Sequence, residues 1–232
     1  MSAISPSGRQ TAGHDRAMTG FKGWPEGALV FYEGLEADNS KAYWLDHKDV
    51  YERDVKRPME ALLADLAAEF GEPRLFRPNR DTRFNRDKSP YKTAIAARIG
   101  DGYVQFSAEG LLAGAGTYHM APDQLERYRV AVAADRTGRT LQDVVDDLRA
   151  ARIEVTAMET LKSAPRGYPK DHPRIELLRH KGLVAMKSWP AAGWLSTAGA
   201  KKRVVDLFHA TAPLLAWLDA HVGPSDEPEA TR

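Results

Sequence analysis

Cysteine is absent from this sequence of 232 residues, and its absence excludes disulfides, thiolate metal sites and cysteine nucleophiles. Long apolar runs are absent too, so the sequence predicts neither a signal peptide nor a membrane span. The sequence also lacks an excess of charge of either sign, because 33 basic and 32 acidic residues leave a formal net charge of +1. A general polyanion binder is therefore not expected, and any anion site must depend on a local patch. Together these features predict a cytoplasmic protein that has no membrane partner.

Common catalytic motifs are also missing. The sequence contains no P-loop, no G-x-S-x-G elbow, no H-E-x-x-H pair and no EF-hand loop. Gly114 and Gly116 lack the third glycine of a dinucleotide-binding fingerprint. The seven histidines are scattered, without a carboxylate partner at ligand spacing. We therefore predict no metal site and no cofactor, and the sequence does not indicate an oligomeric state.

The two ends of the chain differ in composition from the middle. Residues 1–20 mix Ser, Gly, Thr, Arg and His without periodicity, which is typical of a disordered leader. Residues 223–232 have the same character and are predicted to form a disordered tail. No linker rich in Pro, Gly or Ser interrupts the segment between them, so residues 21–222 are predicted to form a single domain.

The first part of this domain has the periodicity of helices. One helix is predicted to open with Pro25 in its first turn and to end near Asp38–Asn39. Ser40 is predicted to cap a second helical stretch that ends at Gly71, with a kink or a boundary at Pro58.

The middle changes to the alternating pattern of strands. Three short segments bounded by glycines fit consecutive antiparallel strands, and they are Lys92–Ile99, Tyr103–Ser107 and Leu111–Tyr118. Two later segments, Ile153–Met158 and Leu183–Trp189, are predicted to extend the same sheet.

Further helices follow these strands. They are predicted over Pro122–Asp135, over Thr140–Ala151 with Thr140 as the cap, and over Ala198–His221. Pro213 lies inside the last of them, where we expect a kink or a break. The fold class predicted from this order is α+β, with a central antiparallel sheet, a meander of about four to six strands, covered by helices from the N- and C-terminal parts.

One segment concentrates the basic charge. From Arg74 to Lys92 the chain has seven basic and two acidic residues, and seven minus two is a local excess of +5. Guanidinium and ammonium groups gathered in this way suit phosphate or carboxylate groups. The candidate ligand-binding residues of the segment are Arg80, Arg83, Arg86, Lys88, Tyr91 and Lys92. Asp81 and Asp87 are candidate catalytic residues, because either could orient the arginines or act as a general base.

Strand alternation bears on two of these candidates. It directs the side chains of Tyr91 and Lys92 to opposite faces of the sheet. A site on one face therefore contains one of them directly, while the other supports it or meets it at an edge.

Two glycines and a tyrosine alternate along the third predicted strand. Gly114, Gly116 and Tyr118 share one face there, so two successive positions lack a side chain. This pattern predicts a trough beside the tyrosine hydroxyl, with the glycines contacting a ligand and Tyr118 as a candidate catalytic residue. The alternative is a bulge, or space for a large side chain from the facing helix.

A stiff loop forms the third motif. Ser163–Pro173 contains three prolines and a glycine, and it displays the candidate ligand-binding residues Arg166 and Tyr168. His172 in this loop is a candidate catalytic residue, and His119 is the other histidine near the motifs. The alternative is that Arg166 and Asp171 only pin the loop by a salt bridge.

Three interpretations of these motifs stay open. In the first, cations of the basic segment and Arg166 clamp an anionic small molecule over the glycine trough, with or without catalysis. In the second, Phe76, Phe84 and Tyr91 interleave with arginines as a single-stranded nucleic-acid or protein-interaction surface. In the third, the arginines and aspartates brace the fold and bind nothing.

The motifs also carry a family resemblance. The runs Arg80–Thr93, Gly114–Pro122 and Pro165–Pro173, in this order and spacing, resemble the DUF2461 family of bacterial and fungal proteins. The opening Phe21–Glu52 is similar to that family's N-terminal pattern, and the resemblance extends to about Trp217. It implies a shared fold and a shared set of polar residues, but it supplies no reaction.

This chain departs from the family pattern at two places. Asn85–Arg86 stands where the family usually has Ser-Lys, and Tyr43–Trp44 stands where it usually has Trp-Phe. Neither change removes charge from the predicted site.

Overall fold

The computed structural model describes residues 20–81 and 88–226, and it confirms the predicted α+β fold. Most of the predicted leader and tail, residues 1–19 and 227–232, lies outside the described residues. The first part of the predicted tail contacts the body of the protein. The carbonyl groups of Gly223 and Pro224 accept hydrogen bonds from Gln124 Nε2 and Arg127 Nη2 at 2.7 and 2.5 Å.

The N-terminal helices follow the predicted pattern. Helix α1 spans Glu26–Ala37. Ser40 Oγ caps helix α2, Lys41–Asp46, by accepting a hydrogen bond from the Tyr43 amide. A continuous helical stretch then consists of α3 (Lys48–Val50), a π-helical turn (Tyr51–Lys56) and α4 (Arg57–Phe70). Pro58 lies in the first turn of α4, so the predicted kink or boundary corresponds to a change from π to α geometry.

Six antiparallel strands form one sheet. They are β1 (Pro73–Leu75), β2 (Ala94–Ile99), β3 (Gly102–Ser107), β4 (Gly110–Thr117), β5 (Glu154–Thr156) and β6 (Leu183–Pro190). Their spatial order is β1-β2-β3-β4-β6-β5, so the meander β1 to β4 is extended by two strands from the second half of the chain.

The C-terminal half contributes helices α5 (Pro122–Ala133), α6 (Asp135–Ala150), α7 (Ile175–Arg179) and α8 (Gly199–His221). The prediction that Thr140 caps a helix is wrong. Thr140 lies inside α6, and its Oγ1 donates to the Arg136 carbonyl one turn earlier. A break at Pro213 is also wrong, because α8 is continuous through this residue.

The two faces of the sheet are different. The core face carries buried side chains such as Ile95, Val104, Phe106 and Leu111, and helices α4 and α8 pack on it. Trp24 stacks on the Phe106 ring with 4.7 Å between the ring centroids. The opposite face carries the alternate residues of each strand, and we call it the open face. It holds the candidate site described next.

Candidate functional site

A row of side chains crosses the open face from one edge of the sheet to the other. The pairs in register are Arg74 with Arg98, Arg98 with Tyr103, Tyr103 with Gly114, Gly114 with Met186, and Met186 with Glu154. Neighbouring strands lie about 4.8 Å apart, so Arg98 and Met186 are separated by roughly 14 Å. The row therefore has cations at one end, an apolar middle and a carboxylate at the far end.

An apolar trough of about 490 Å³ lies over this row. Its wall and floor come from strands β2, β3, β4 and β6 and from the segments next to them. The residues that line the trough are Phe76, Arg98, Asp101, Gly102, Tyr103, Gln105, Leu112, Gly114, Ala115, Gly116, Tyr118, Met158, Val184 and Met186. Three of the predicted site residues, Gly114, Gly116 and Tyr118, thus lie in one cavity.

The two glycines have a structural reason to be glycine. A Cβ at Gly114 would lie 2.8 Å from both the Ala185 carbonyl oxygen and Met186 Cγ. Gly116 has φ +133°, and a Cβ there would meet the Leu183 carbonyl oxygen. Both glycines therefore allow β4 to approach β6 closely, in an unbroken register and against atoms of β6, which differs from the bulge or the space for a helix side chain considered from the sequence. They also form part of the trough floor.

Two tyrosines contribute hydroxyl groups to the largely apolar trough. Tyr103 Oη donates to Gln105 Oε1 at 2.7 Å, so the phenol has a fixed orientation. Burial raises the pKa of Tyr103, with a further contribution from Tyr118, and the phenol stays neutral. Tyr118 is 65% exposed and Met158 is 54% exposed, so two large side chains of the trough leave apolar surface in water.

The cationic end of the trough carries two arginines, while Asp101 contributes a carboxylate to the lining of the cavity. Arg74 and Arg98 are both exposed and directly opposed on β1 and β2. Like charges in this position repel. Within residues 20–81 and 88–226, no carboxylate pairs with Arg74, Arg77 or Arg98. An anion placed at this end would relieve the repulsion.

Lys92 adds a further cation next to the trough. Its Nζ lies 5.7 Å from the centroid of the Phe76 ring, which lines the cavity. Burial, and then the charges of Arg77 and Arg80, lower the pKa of this amine.

Tyr91, in contrast, lies in the core. Its ring stacks on Trp44 with 4.3 Å between centroids. Its backbone exchanges two hydrogen bonds with the Asn39 side chain, at 3.0 and 3.1 Å. The opposite orientations predicted for Tyr91 and Lys92 are thus observed, and Tyr91 supports the segment from beneath.

The basic segment is described only in part. Arg83, Arg86 and Asp87 lie outside the described residues. Arg80, Asp81 and Lys88 are described, and each of them interacts with another group. They do not belong to the lining of the trough.

The proline-rich loop is anchored by an arginine that sequence reasoning did not select. Arg174 is buried, and its guanidinium donates to the carbonyl groups of Val132, Ala133 and Ala134 at the end of α5. The amide of Arg174 also donates to His172 Nδ1 at 3.0 Å. His172 therefore orients the loop, and it does not line the trough.

The other candidates of this loop are also outside the trough lining. Arg166 is exposed, whereas Tyr168 is partly buried against the core. Among the described residues, no ion pair joins Arg166 to Asp171, so the salt bridge considered from the sequence is not the anchor.

Several lining residues escaped the sequence analysis. Arg98 is six residues after Lys92, so strand alternation directs both side chains to the same face. Tyr103, Gln105 and Met186, in contrast, reach the trough only through the register of β3, β4 and β6. Alternation within each strand could have identified the face, but not which residues of different strands become neighbours.

In the ranges 20–81 and 88–226, no three His, Asp or Glu side chains come together in a geometry that could hold a metal ion. No helix in these ranges has both the length and the apolar character needed to cross a bilayer.

Comparison with known proteins identifies the family. The chain matches the family described as conserved hypothetical protein (DUF2461) over residues 27–217. It therefore belongs to this family, as the resemblance of its motifs indicated. No curated protein and no solved structure matches the chain.

Proposed function

We propose that this member of the DUF2461 family binds an anionic small molecule, carrying a carboxylate or phosphate group, in the trough on its open face. The main support is the opposed pair Arg74 and Arg98, which lies at one end of the apolar trough and forms no ion pair with a carboxylate of the described residues, Asp101 of the trough lining included. A repulsive pair at this position costs stability, and a bound anion removes that cost.

The apolar middle of the trough indicates what else the ligand carries. Tyr118 and Met158 expose large side chains to water, and Leu112, Val184 and Met186 continue the apolar surface. A volume of about 490 Å³ falls in the range of sites for small molecules and cofactors. The ligand is therefore amphipathic, with an apolar body over β4 and its acidic group near Arg98.

Polar groups within the trough supply orientation. The Gln105 amide and the Tyr103 hydroxyl are paired with each other, so the amide nitrogen of Gln105 remains a donor for the ligand. In this arrangement Arg98 takes the clamping role that was predicted for Arg80, Arg83, Lys88 and Arg166. We place this binding activity in the cytoplasm, in keeping with the cysteine-free sequence.

A second candidate is binding of single-stranded nucleic acid. Phe76, Tyr103 and Tyr118 lie on an open sheet face beside arginines, an arrangement that suits stacking of bases. We favour the small molecule because Tyr103 is held by its hydrogen bond and the trough is concave. An adaptable stacking surface needs neither feature.

A thermal-shift experiment tests the proposal with naphthoate, its neutral analogue naphthamide, phenyl phosphate and a single-stranded oligonucleotide. Ligand at about ten times its Kd stabilises a protein by about 1.4 kcal/mol, which raises Tm by about 3–6 °C for a domain of this size. We expect this shift with naphthoate or phenyl phosphate, and not with naphthamide.

Two variants localise the effect. Arg98→Gln should abolish the shift, and Arg57→Gln should retain it because Arg57 is an exposed arginine of α4 outside the trough. Equal shifts with naphthoate and naphthamide, or an unchanged shift in Arg98→Gln, would contradict the proposal. A shift caused by the oligonucleotide alone would favour the second candidate.

A further inference from the structure

Two residues of opposite charge line the trough. Of its described lining, only Arg98 and Asp101 carry a formal charge, and they are three residues apart on the β2–β3 hairpin. Three residues of chain span at most about 11 Å, so the two residues are close together. Within residues 20–81 and 88–226, no ion pair joins them to each other or to another group. The trough therefore presents a cation and a carboxylate that are both available to a ligand.

The backbone holds Asp101 in place at the tip of this hairpin. Ile99 and Gly102 are in register, so the turn between the two strands consists of Gly100 and Asp101. Gly100 has φ +51°, and aspartate is one of the residues that suit such a tight turn. The Gly116 amide of β4 also donates to the Asp101 carbonyl oxygen at 3.3 Å. Asp101 is thus attached to a rigid part of the site before any ligand binds, as selective binding requires.

The trough continues past Asp101 into a second cavity of about 320 Å³. Asp101 and Gly116 line both cavities, and Asp219, in the last turn of α8, lines the second. The described lining of this second cavity contains no basic residue. Carbonyl groups at the C-terminal end of a helix also favour a nearby cation. Asp219 and the end of α8 therefore add to the preference for positive charge at Asp101.

Arg127 does not cancel this preference. Its guanidinium donates to the carbonyl groups of Val222 and Pro224, beyond the end of α8. It is also paired with the carboxylates of Asp123 and Asp226, at 3.1 and 3.3 Å. One guanidinium is thus matched by two carboxylates, and it does not belong to the lining of either cavity.

We propose that Asp101 determines the specificity of the trough, and that the ligand is an α-amino acid with a large apolar or aromatic side chain. This inference rests on the proposed function, because the carboxylate of the ligand must first bind at Arg98. Arg98 then donates hydrogen bonds to that carboxylate, and Asp101 accepts them from the ammonium group. The two charges of an α-amino acid are carried on one carbon atom, so two receptors as close as residues 98 and 101 match them.

Asp101 also acts against the wrong ligand. A simple acid bound at Arg98 leaves the Asp101 carboxylate without a partner and near a second negative charge, which costs affinity. The neutral part of the trough accommodates the side chain of the amino acid, because Leu112, Val184 and Met186 supply apolar surface and Tyr103 supplies an aromatic ring. The ammonium group therefore distinguishes the preferred ligand from other amphipathic acids.

Three ligands of nearly the same shape test the inference. L-phenylalanine carries both charges, 3-phenylpropionate lacks the ammonium group, and phenethylamine lacks the carboxylate. Calorimetric titration of the wild type measures each Kd. We expect phenylalanine to bind about tenfold tighter than either analogue, because one charged hydrogen bond is worth on the order of a factor of ten. Equal affinities for phenylalanine and 3-phenylpropionate would overturn the inference.

Asp101→Asn should change the two affinities in opposite directions. Asparagine suits the turn as aspartate does, so the hairpin is retained. We expect the affinity for phenylalanine to fall about tenfold and that for 3-phenylpropionate to rise, because the carboxylate is gone. Asp46→Asn, at an exposed aspartate of α2 outside both cavities, is the control and should bind both ligands as the wild type does. A parallel loss for both ligands in Asp101→Asn, as from a structural role, or an unchanged preference would contradict the inference.

Binding of naphthoate separates this inference from the proposed function. Naphthoate has a carboxylate and no amine, so it tests the trough and Arg98 alone. If naphthoate binds and phenylalanine has no advantage over 3-phenylpropionate, only the role of Asp101 fails. If none of these acids binds, the trough fails as a site and the inference fails with it.

Discussion

Arg74 and Arg98 are cross-strand partners on β1 and β2, and both are exposed on the open face of the sheet. A sheet that needed only to fold would gain from an opposite charge at either position. The neighbouring residue in the same row is Tyr103, which lines the trough. We interpret the pair as the anion-binding end of that trough.

Arg74→Glu separates stability from binding. The new carboxylate faces Arg98, so we expect the free energy of unfolding to rise by about 0.2–1 kcal/mol. Binding of naphthoate should weaken, because the carboxylate occupies Arg98 and repels the ligand. Urea denaturation and calorimetric titration measure the two effects.

The matched control is Arg74→Gln, which removes the repulsion without adding an attraction. It should fall between the wild type and Arg74→Glu in both measurements. Wild-type affinity in Arg74→Glu would show that the anion does not bind at this end of the row.

Gly114→Ala tests the close approach of β4 and β6. A Cβ would collide with the Ala185 carbonyl oxygen and with Met186 Cγ, so we expect a loss of about 1–3 kcal/mol in stability. Gly193→Ala is the control, because no atom lies within 4 Å of its added Cβ. That change should stay within about 0.5 kcal/mol of wild type. Equal stabilities of the two variants in urea would argue against this packing.

His180 should give the protein a pH-dependent stability. It is buried, and its Nδ1 has no hydrogen-bond partner among the described residues. Burial, and then Arg149, lower the pKa of His180 below its ordinary value of 6.5, and they outweigh the opposite effect of Glu176. The unfolded chain therefore takes up the proton first as the pH falls. The stabilisation is complete above about pH 6.5 and is lost as the pH falls towards the pKa of the folded state.

Between about pH 7.5 and pH 5.5 this loss is at most about 1.4 kcal/mol, because it grows by 1.36 kcal/mol for each unit below the unfolded pKa. Urea denaturation at the two pH values measures it. His180→Gln should remove this part of the pH dependence. His119→Gln should retain it, since His119 is exposed. The same pH dependence in wild type and His180→Gln would assign the effect to other groups.

Arg174 is expected to be structural. Arg174→Met leaves the buried Val132 carbonyl and the partly buried carbonyls of Ala133 and Ala134 without this donor, so stability should fall by about 1–3 kcal/mol. Naphthoate binding should be unchanged at a temperature where the variant is folded, because Arg174 is outside the trough lining. Chemical denaturation and calorimetry test these two expectations. A loss of binding in the folded variant would connect the proline-rich loop to the site.

Much of the fold could be predicted because one face of the sheet is buried. The alternation of Ile95, Ala97 and Ile99 with smaller or polar residues marks β2, and the same rule marks β3. The burial of β4 does not alternate, and this strand was recognised by the glycine that bounds it. Strand β1 could not be found in this way, because three residues beginning with Pro73 are too few for a period. Thr140 looked like a cap because threonine favours that position, yet α6 begins earlier, directly after α5.

The candidate site was predictable along single strands and not across them. Alternation placed Gly114, Gly116 and Tyr118 on one face, and the structure finds them in one cavity. The pairing of Arg98 with Arg74 and of Gly114 with Met186 depends on strand order, which joins segments far apart in sequence. The excess of basic residues in Arg74–Lys92 therefore predicted a site near the trough, but it did not identify Arg98, which lies outside that segment.

We propose that an anion in the trough places its charge at Arg98. The most direct test is a titration of isotope-labelled protein with naphthoate, followed by backbone amide and arginine Nε signals in the nuclear magnetic resonance spectrum. We expect the largest shifts at Arg98, Tyr103, Gly114 and Gly116. Shifts concentrated at Arg139 and Arg149, which line a separate cavity between α6 and α7, or no shifts at all, would contradict it.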